Sequence, residues 1–245
     1  MPLQPGARAA GRPPFRYDPA VIDRFPAVVG GVIVATVRNG PSPEALPAAL
    51  TAEVAVARER LAGTPLSEVP SLAAWRRVFR GFGVDPTQYR SAAEALLRRI
   101  TKGDDLPSIN ALVDLANLVS VRHALPVAVF DTRDVNGGTT VRFADGTEPW
   151  ADLGGSATEH PDPGEVIFAD NEQQVSARRW CWRQSRASAA REDTVDVLVT
   201  VEGHHAEAPA DVAAALADLD CLLREHVRAQ VHRLAILDAS RPALE

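Results

Sequence analysis

A chain of 245 residues, 46% hydrophobic and 24% charged, can bury a large core in one big domain or two small ones, which excludes a disordered or low-complexity protein. The formal net charge of -6 excludes a protein that coats nucleic acid by overall charge, although a local basic face is compatible with it. Cys181 and Cys221 form neither a CxxC unit nor a disulfide framework, the N-terminus has no apolar signal core, and no apolar run is long enough to span a membrane; the expected setting is cytoplasmic.

Residues 1–14, rich in Pro, Gly and Arg, read as a disordered tail, and 15–240 as one domain. After Pro26 the run AVVGGVIVATV reads as a buried strand centred on Val32–Val37, ended by Asn39, Gly40 and Pro41. Residues 44–61 read as a helix with Leu50, Val54, Ala57 and Leu61 inward and Gly63 as its stop. Leu72–Phe79 is expected as a helix with Ser71 as N-cap behind Pro70. Beyond a loop at Gly81, Gly83 and Pro86, Ser91 and Glu94 form a capping box for the next helix, and Ser108 is the candidate cap of another that runs through Val119. Pro126 precedes a short strand, VAVF, and Asn136-Gly137-Gly138 predicts a hairpin joining it to TTVRFA. Asp145-Gly146 is a turn and Gly154–Gly164 a surface loop. Glu165–Ala169, Val175–Trp182 and Thr194–Val201 are further strands, and Ala208 to about Leu234 a long closing helix. Helices, then hairpin-connected strands, then a helix favour an α+β fold over a doubly wound sheet.

Three polar blocks stand out. Asn110, Asp114 and Asn117 recur at i, i+4 and i+7, so they share one helix face. Short amides make a poor solvent face and poor helix, so the stripe either lines a cavity or forms a buried structural network. His123, just before Pro126, is either an acid, base or ligand at neutral pH or a cation at a helix C-terminus. In RRWCWRQS, strict alternation puts Arg179, Cys181, Arg183 and Ser185 on one strand face and Arg178, Trp180, Trp182 and Gln184 on the other. Tryptophans beside arginines make a stacking surface for bases or core anchors; the core reading is favoured for Trp180 and the pocket reading for Trp182, with Cys181 a small buried filler. Arg76, Arg77, Arg80, Arg90, Arg98, Arg99 and Lys102 bracket two helices, as a phosphate-facing patch or a solvated surface. Gly30-Gly31 lacks a nucleotide-loop continuation, the six histidines contain no HExxH, and His204-His205 reads as surface; neither metal nor cofactor is expected.

The segments WRRVFR (75–80), GVDPTQYRSAAEALLRR (83–99), LPSINALVDLANLVS (106–120), LPVAVFD ending at Asp131, VRFADGTE (141–148), GEVIFAD (164–170) and RWCWRQS (179–185), followed by Thr194, occur in an order that resembles the B3/B4 domain. This is the tRNA-binding and editing module of the bacterial phenylalanyl-tRNA synthetase beta subunit, and the chain looks closer still to free-standing B3/B4-domain proteins. The resemblance, over roughly residues 20 to 235, implies a three-layer α+β arrangement of mixed sheets and flanking helices, shared with part of a tRNA-lysidine synthetase. It implies tRNA, aminoacyl-tRNA or a free amino acid as partner, not DNA or membrane. In the synthetase this module hydrolyses tyrosine wrongly attached to the phenylalanine tRNA. By position the resemblance puts Asn110, Asn117, Asp131, Glu148 and the Arg179–Gln184 strand around the equivalent cavity.

On that basis Asn110, Asn117, Arg183 or Gln184 would donate to an oxyanion and His123 or Glu148 would orient water. Asp114, Asn117, Asp131, Arg179, Trp182 and Gln184 would line the pocket, and Arg76, Arg80, Arg90, Arg98, Arg99 and Lys102 would meet RNA. The chain departs from the synthetase module at RWCWRQS, where that module is Gly-rich. It departs again at TVDVLVT (194–200), where the module carries a glutamate that helps recognise the tyrosine hydroxyl. The sequence holds no synthetase catalytic core or ATP site. The expected function is a tRNA-binding protein of the editing-deacylase type, with a non-catalytic RNA-binding module or an amino-acid-binding or scaffold protein as alternatives.

Overall fold

The computed structural model describes residues 14–155 and 157–245, so all of the expected tail but Pro14 lies outside the described residues. In chain order the elements are β1 (Phe15–Tyr17), α1 (Pro19–Arg24), β2 (Val29–Thr36), α2 (Ala45–Arg60), α3 (Pro70–Gly81), α4 (Ala92–Thr101), α5 (Ala111–His123), β3 (Val127–Asp131) and β4 (Thr139–Phe143). There follow β5 (Val166–Ala169), β6 (Val175–Arg178), β7 (Arg183–Gln184), β8 (Asp196–Gly203), α6 (Ala208–Val227), β9 (Gln230–Leu237) and β10 (Ala243–Leu244).

The strands form two sheets. One is antiparallel throughout, in the order β3-β8-β2-β9; the other runs β10-β1-β4-β5-β6-β7 and is mixed, because β1 pairs parallel with β4. Alternation on the central strands explains the layers. Ile33, Ala35, Val197, Val199 and Val201 face a helical layer drawn from α2, α4, α5 and α6, whereas Val32 and Leu198 face Phe15, Val141, Val166 and Phe168 of the other sheet. A strand covered on both faces reads as one apolar run, which is why AVVGGVIVATV shows no polar alternation. The result is a helix–sheet–sheet α+β fold. No helix among the described residues is long and apolar enough to cross a membrane.

Several local expectations change in tertiary context. Ser91 does cap α4, accepting from the Glu94 amide at 3.3 Å. By contrast α3 starts earlier, with Pro70 in its first turn, and the Ser71 hydroxyl donates to the Ala124 carbonyl at 2.8 Å instead of capping. The cap of α5 is Asn110, not Ser108; its side chain accepts from Val113 N at 3.1 Å, while Ser108 bonds the Asp114 carboxylate. The Asn-Gly-Gly segment is not a hairpin turn. It carries the chain from β3 in one sheet to β4 in the other, because β3 pairs with β8 and β4 with β1 and β5. The long helix α6 stops at Val227, where Arg228 adopts a left-handed conformation (φ 51°), and the expected helical end becomes β9. β9 supplies the backbone partners that the edge of β2 needs, and it turns Ala235 and Leu237 inward. Finally, 178–185 is not one strand: β6 ends at Arg178, and a turn precedes β7.

Candidate functional site

The turn between β6 and β7 shapes the site. Arg179 and Trp180 sit at φ 44° and 59°, a left-handed conformation that costs roughly 1–2 kcal/mol for each non-glycine residue. Tertiary contacts offset that cost. Trp180 is fully buried and meets Phe25, Trp75 and His204 edge-on with ring centroids 5.5, 5.4 and 4.9 Å away. The Arg179 guanidinium lies 3.8 Å over the Tyr89 ring and 4.7 Å from that of Trp182, and its backbone N–H donates to Glu165 at 3.0 Å. The turn thereby drives Trp180 into the space between the sheets and leaves Trp182 half-buried beside it.

Between β3 and β8 on one side and β5, β6 and the turn on the other lies a cavity of about 70 Å³. Its walls are largely apolar: Ala128, Phe130, Phe168, Ala177, Trp180, Cys181 and Trp182, with Arg183 and Gln184 also in the lining. Two polar groups come from β8, where alternation puts Thr200 and Glu202 on the same face as Leu198. The Thr200 hydroxyl makes no hydrogen bond to another described residue. Glu202 is 2% exposed, and its Oε1 accepts from the Tyr17 hydroxyl at 2.7 Å and from Trp180 Nε1 at 3.0 Å. Oε2 takes no hydrogen bond from the described residues. Burial pushes the carboxyl up to about 7, against the lowering effect of those two donors. Burial and the nearby Glu202 likewise raise the Cys181 thiol, which therefore stays protonated, although the residue is only half-buried in the cavity wall.

Gly30 makes the Tyr17–Glu202 bond possible. A Cβ at that position would sit 2.0 Å from the Tyr17 hydroxyl, and Gly30 pairs directly with Glu202 across β2 and β8. Tyr17, Tyr89, Thr200 and Glu202 were absent from the sequence-based candidates. One signal was legible: Glu202 lies two residues beyond Thr200 in VLVTVEG, on the inward alternation of a strand that is otherwise apolar on both faces.

Of the candidates named from sequence, Trp182, Arg183 and Gln184 meet at this cavity. Both N–H groups of the Gln184 amide are engaged, with Val129 O at 2.7 Å and Ser188 O at 2.8 Å, which fastens β7 to β3. Arg183 lies 4.8 Å over Trp182 and bonds Asp152 at 2.6 Å. Arg179 stacks behind Trp182 without lining the cavity.

The remaining candidates are placed elsewhere, and all of these but Asn117 are tied to the chain itself. Asn110 caps α5, accepts from Asn39 at 3.2 Å and donates to Ala190 O at 3.2 Å. Asp114, fully buried, accepts from Ser42 at 2.6 Å, from Ile109 N at 2.9 Å and from Ser108. Asn117 is half-buried on the same helix. Asp131 accepts from Thr194 at 2.7 Å and from Arg133 at 2.8 Å; burial opposes these bonds, yet they hold its carboxyl below the usual range. Glu148 accepts from the amides of Asp145, Gly146 and Thr147 and from Arg142 at 2.6 Å, which against burial hold it at about 2. His123 Nε2 is 2.8 Å from Asp218. None of these six lines the cavity. The pattern in the helix and the two carboxylates is a set of structural ties. His204 and His205, expected at the surface, are each 8% exposed; burial drives His204 down to about 3, so it stays neutral between Trp75 and Trp180.

The basic residues divide. Arg76, Arg98 and Lys102 line a cleft of about 690 Å³ together with Arg58, while Arg80, Arg90 and Arg99 lie outside its lining. Glu94 neutralises part of this region, 2.5 Å from Arg76 and 3.8 Å from Arg90.

Over 106 residues the chain is 37% identical to the phenylalanine–tRNA ligase beta subunit of Bradyrhizobium diazoefficiens, a match covering 43% of this chain and 13% of that protein. A crystal structure of an N-terminal fragment of the phenylalanyl-tRNA synthetase beta subunit from Pyrococcus horikoshii aligns at 15% identity and a TM-score of 0.45, covering 94% of this chain and 53% of that one. The chain thus spans a small part of the curated relative and about half of that fragment. The family model of the B3/4 domain matches residues 74–218, more than half of the chain. The chain therefore belongs to the B3/4 domain family.

Proposed function

We propose that this protein binds the aminoacylated end of a tRNA, seats the amino-acid side chain in the Glu202 cavity, and hydrolyses the ester. The observation that carries the reading is Glu202 Oε2, a carboxylate oxygen that takes no hydrogen bond from the described residues, in a largely apolar cavity flanked by Trp182 and Arg183. An apolar pocket with few polar groups is how small ligands are oriented. The family supports RNA as the carrier, since the curated relative is a tRNA ligase subunit.

The cavity also bounds the substrate. Its volume of about 70 Å³ is less than half of the roughly 150 Å³ that takes up benzene, so it favours a short side chain over a phenol. Glu202 Oε2 favours one that ends in a hydroxyl or ammonium donor. In the reaction, water attacks the ester carbonyl carbon, the bond to the ribose oxygen breaks, and the ribose hydroxyl recovers a proton while the amino acid leaves as its carboxylate. An aminoacyl ester is labile, so positioning supplies most of what is needed. Arg183 is the donor for the developing oxyanion, because the Gln184 N–H groups already serve Val129 and Ser188. Thr200 provides the wall hydroxyl that can hold the water.

The test is a deacylation panel of correctly and incorrectly charged tRNAs. Esters of short, hydroxyl-bearing amino acids are expected to be hydrolysed fastest, with Arg183→Ala and Thr200→Ala each slowing the step by about 10²-fold. No hydrolysis across the panel refutes the enzymatic reading. A non-catalytic RNA-binding role is favoured by the Arg58, Arg76, Arg98 and Lys102 cleft, and it too fails if no tRNA binds at low salt.

A further inference from the structure

We infer that a second cleft, lined by the residues that directly follow β7, binds the phosphate of a nucleotide. Arg183 and Gln184 line the Glu202 cavity; Ser185, Arg186 and Ala187, next in the chain, line a cleft of about 560 Å³ with Trp150 and Arg191. That volume lies within the range of roughly 300–1,000 Å³ typical of small-ligand sites, and exceeds what a free phosphate needs.

Two observations point independently to an anion. The first is charge. Arg186 and Arg191 are both exposed, no carboxylate lines the cleft, and neither guanidinium forms a salt bridge among the described residues. Arg183, by contrast, is already neutralised by Asp152. Asp193, close enough to feel the charge of Arg191, has both carboxylate oxygens on Arg133, each at 2.9 Å. Arg186 donates once, to Gly155 O at 2.9 Å, and keeps its remaining N–H groups.

The second is a buried orphan donor. Trp150 is 2% exposed, yet its Nε1–H has no acceptor among the described residues. Such a group costs about 1–3 kcal/mol unless something satisfies it. The ring is not free to turn away, since the Arg178 guanidinium lies 5.1 Å over it and Trp182 packs 6.4 Å from it. The ring that carries this N–H lines the cleft beside two guanidiniums that have no carboxylate partner among the described residues, a donor set that matches phosphate oxygens.

This inference deepens the proposed function, on which it rests for the source of the phosphate: it seats a nucleotide of the RNA end beside the cavity that takes the aminoacyl group. The ¹H–¹⁵N indole spectrum of the full chain tests it, with Trp150→Phe identifying the Trp150 signal. Titration with adenosine monophosphate is expected to shift that signal saturably, and the doubly substituted Arg186→Ala/Arg191→Ala protein is expected to bind at least tenfold more weakly. Both arginines are exposed, so this variant should keep its fold. A Trp150 signal unmoved by millimolar nucleotide, or an affinity indifferent to the two arginines, overturns the site. Equal affinity for inorganic phosphate overturns the nucleotide assignment. The Trp150 shift, with its dependence on Arg186 and Arg191, and ester hydrolysis are separate readouts, so a protein that fails the deacylation panel and still shows the shift separates the two proposals.

Discussion

Replacing Glu202 by Gln is the sharpest test of how the cavity is built. The carboxyl is raised from 4.5 to about 7, chiefly by burial. Between those values the folded protein keeps a proton that the unfolded chain has released, so this group's contribution to stability is present below pH 4.5 and lost as pH rises through 7. The whole shift corresponds to about 3 kcal/mol. A glutamine keeps an oxygen that accepts from Tyr17 and Trp180 but never ionises. The stability of Glu202→Gln relative to the parent should therefore improve by roughly 2–3 kcal/mol between pH 5 and pH 8. Urea unfolding of both proteins across that range measures it, and the subtraction removes the titration of His204, which both proteins share. A difference that stays flat, or that moves against the glutamine as pH rises, refutes a buried, proton-holding Glu202.

Three further outcomes follow from the same geometry. Gly30→Ala places a Cβ on the Tyr17 hydroxyl, so loss of a buried hydrogen bond and overpacking together should cost about 2–4 kcal/mol in denaturant midpoints. Asn110→Ala removes the α5 cap and the bonds to Asn39 and Ala190, costing about 2 kcal/mol of stability, while rates on any substrate of the surviving fold should change little. Glu148, held at about 2, contributes stability that is present above pH 4.5 and lost as pH falls toward 2. Glu148→Gln should therefore flatten the acid-unfolding curve in that window, by up to about 3 kcal/mol; an unchanged curve would remove Glu148 from the account.

Local chemistry made part of the fold readable. The Ser91 cap, the stop of α2 and the buried run of β2 depend on neighbours in sequence and appear as expected, although the Glu94 half of the capping box does not form, its carboxylate being held by Arg76. The hairpin at Asn136-Gly137-Gly138 did not form because turn residues say that a chain bends and not which sheet each strand joins. The first part of β9, to about Leu234, reads as helix because QVHRL shows no strict alternation until β2 offers it an edge. The site was less legible still. Asp114 and Asn117 share a helix face, and that much is sequence; Asn110, expected on the same face, is instead the extended cap before α5, and that it and Asp114 bind loops instead of facing the cavity depends on Asn39 and Ser42, some seventy residues earlier.

The amino-acid sequence by itself determined the α+β class and the family, since both rest on elements and motifs in linear order. Only the tertiary structure decided which residues meet. The left-handed turn at Arg179 and Trp180, disfavoured by local sterics, exists because distant Phe25, Trp75, Tyr89 and Glu202 stabilise it. The cavity follows from that turn, because contacts between residues far apart in the chain can outweigh the backbone preferences that a sequence displays.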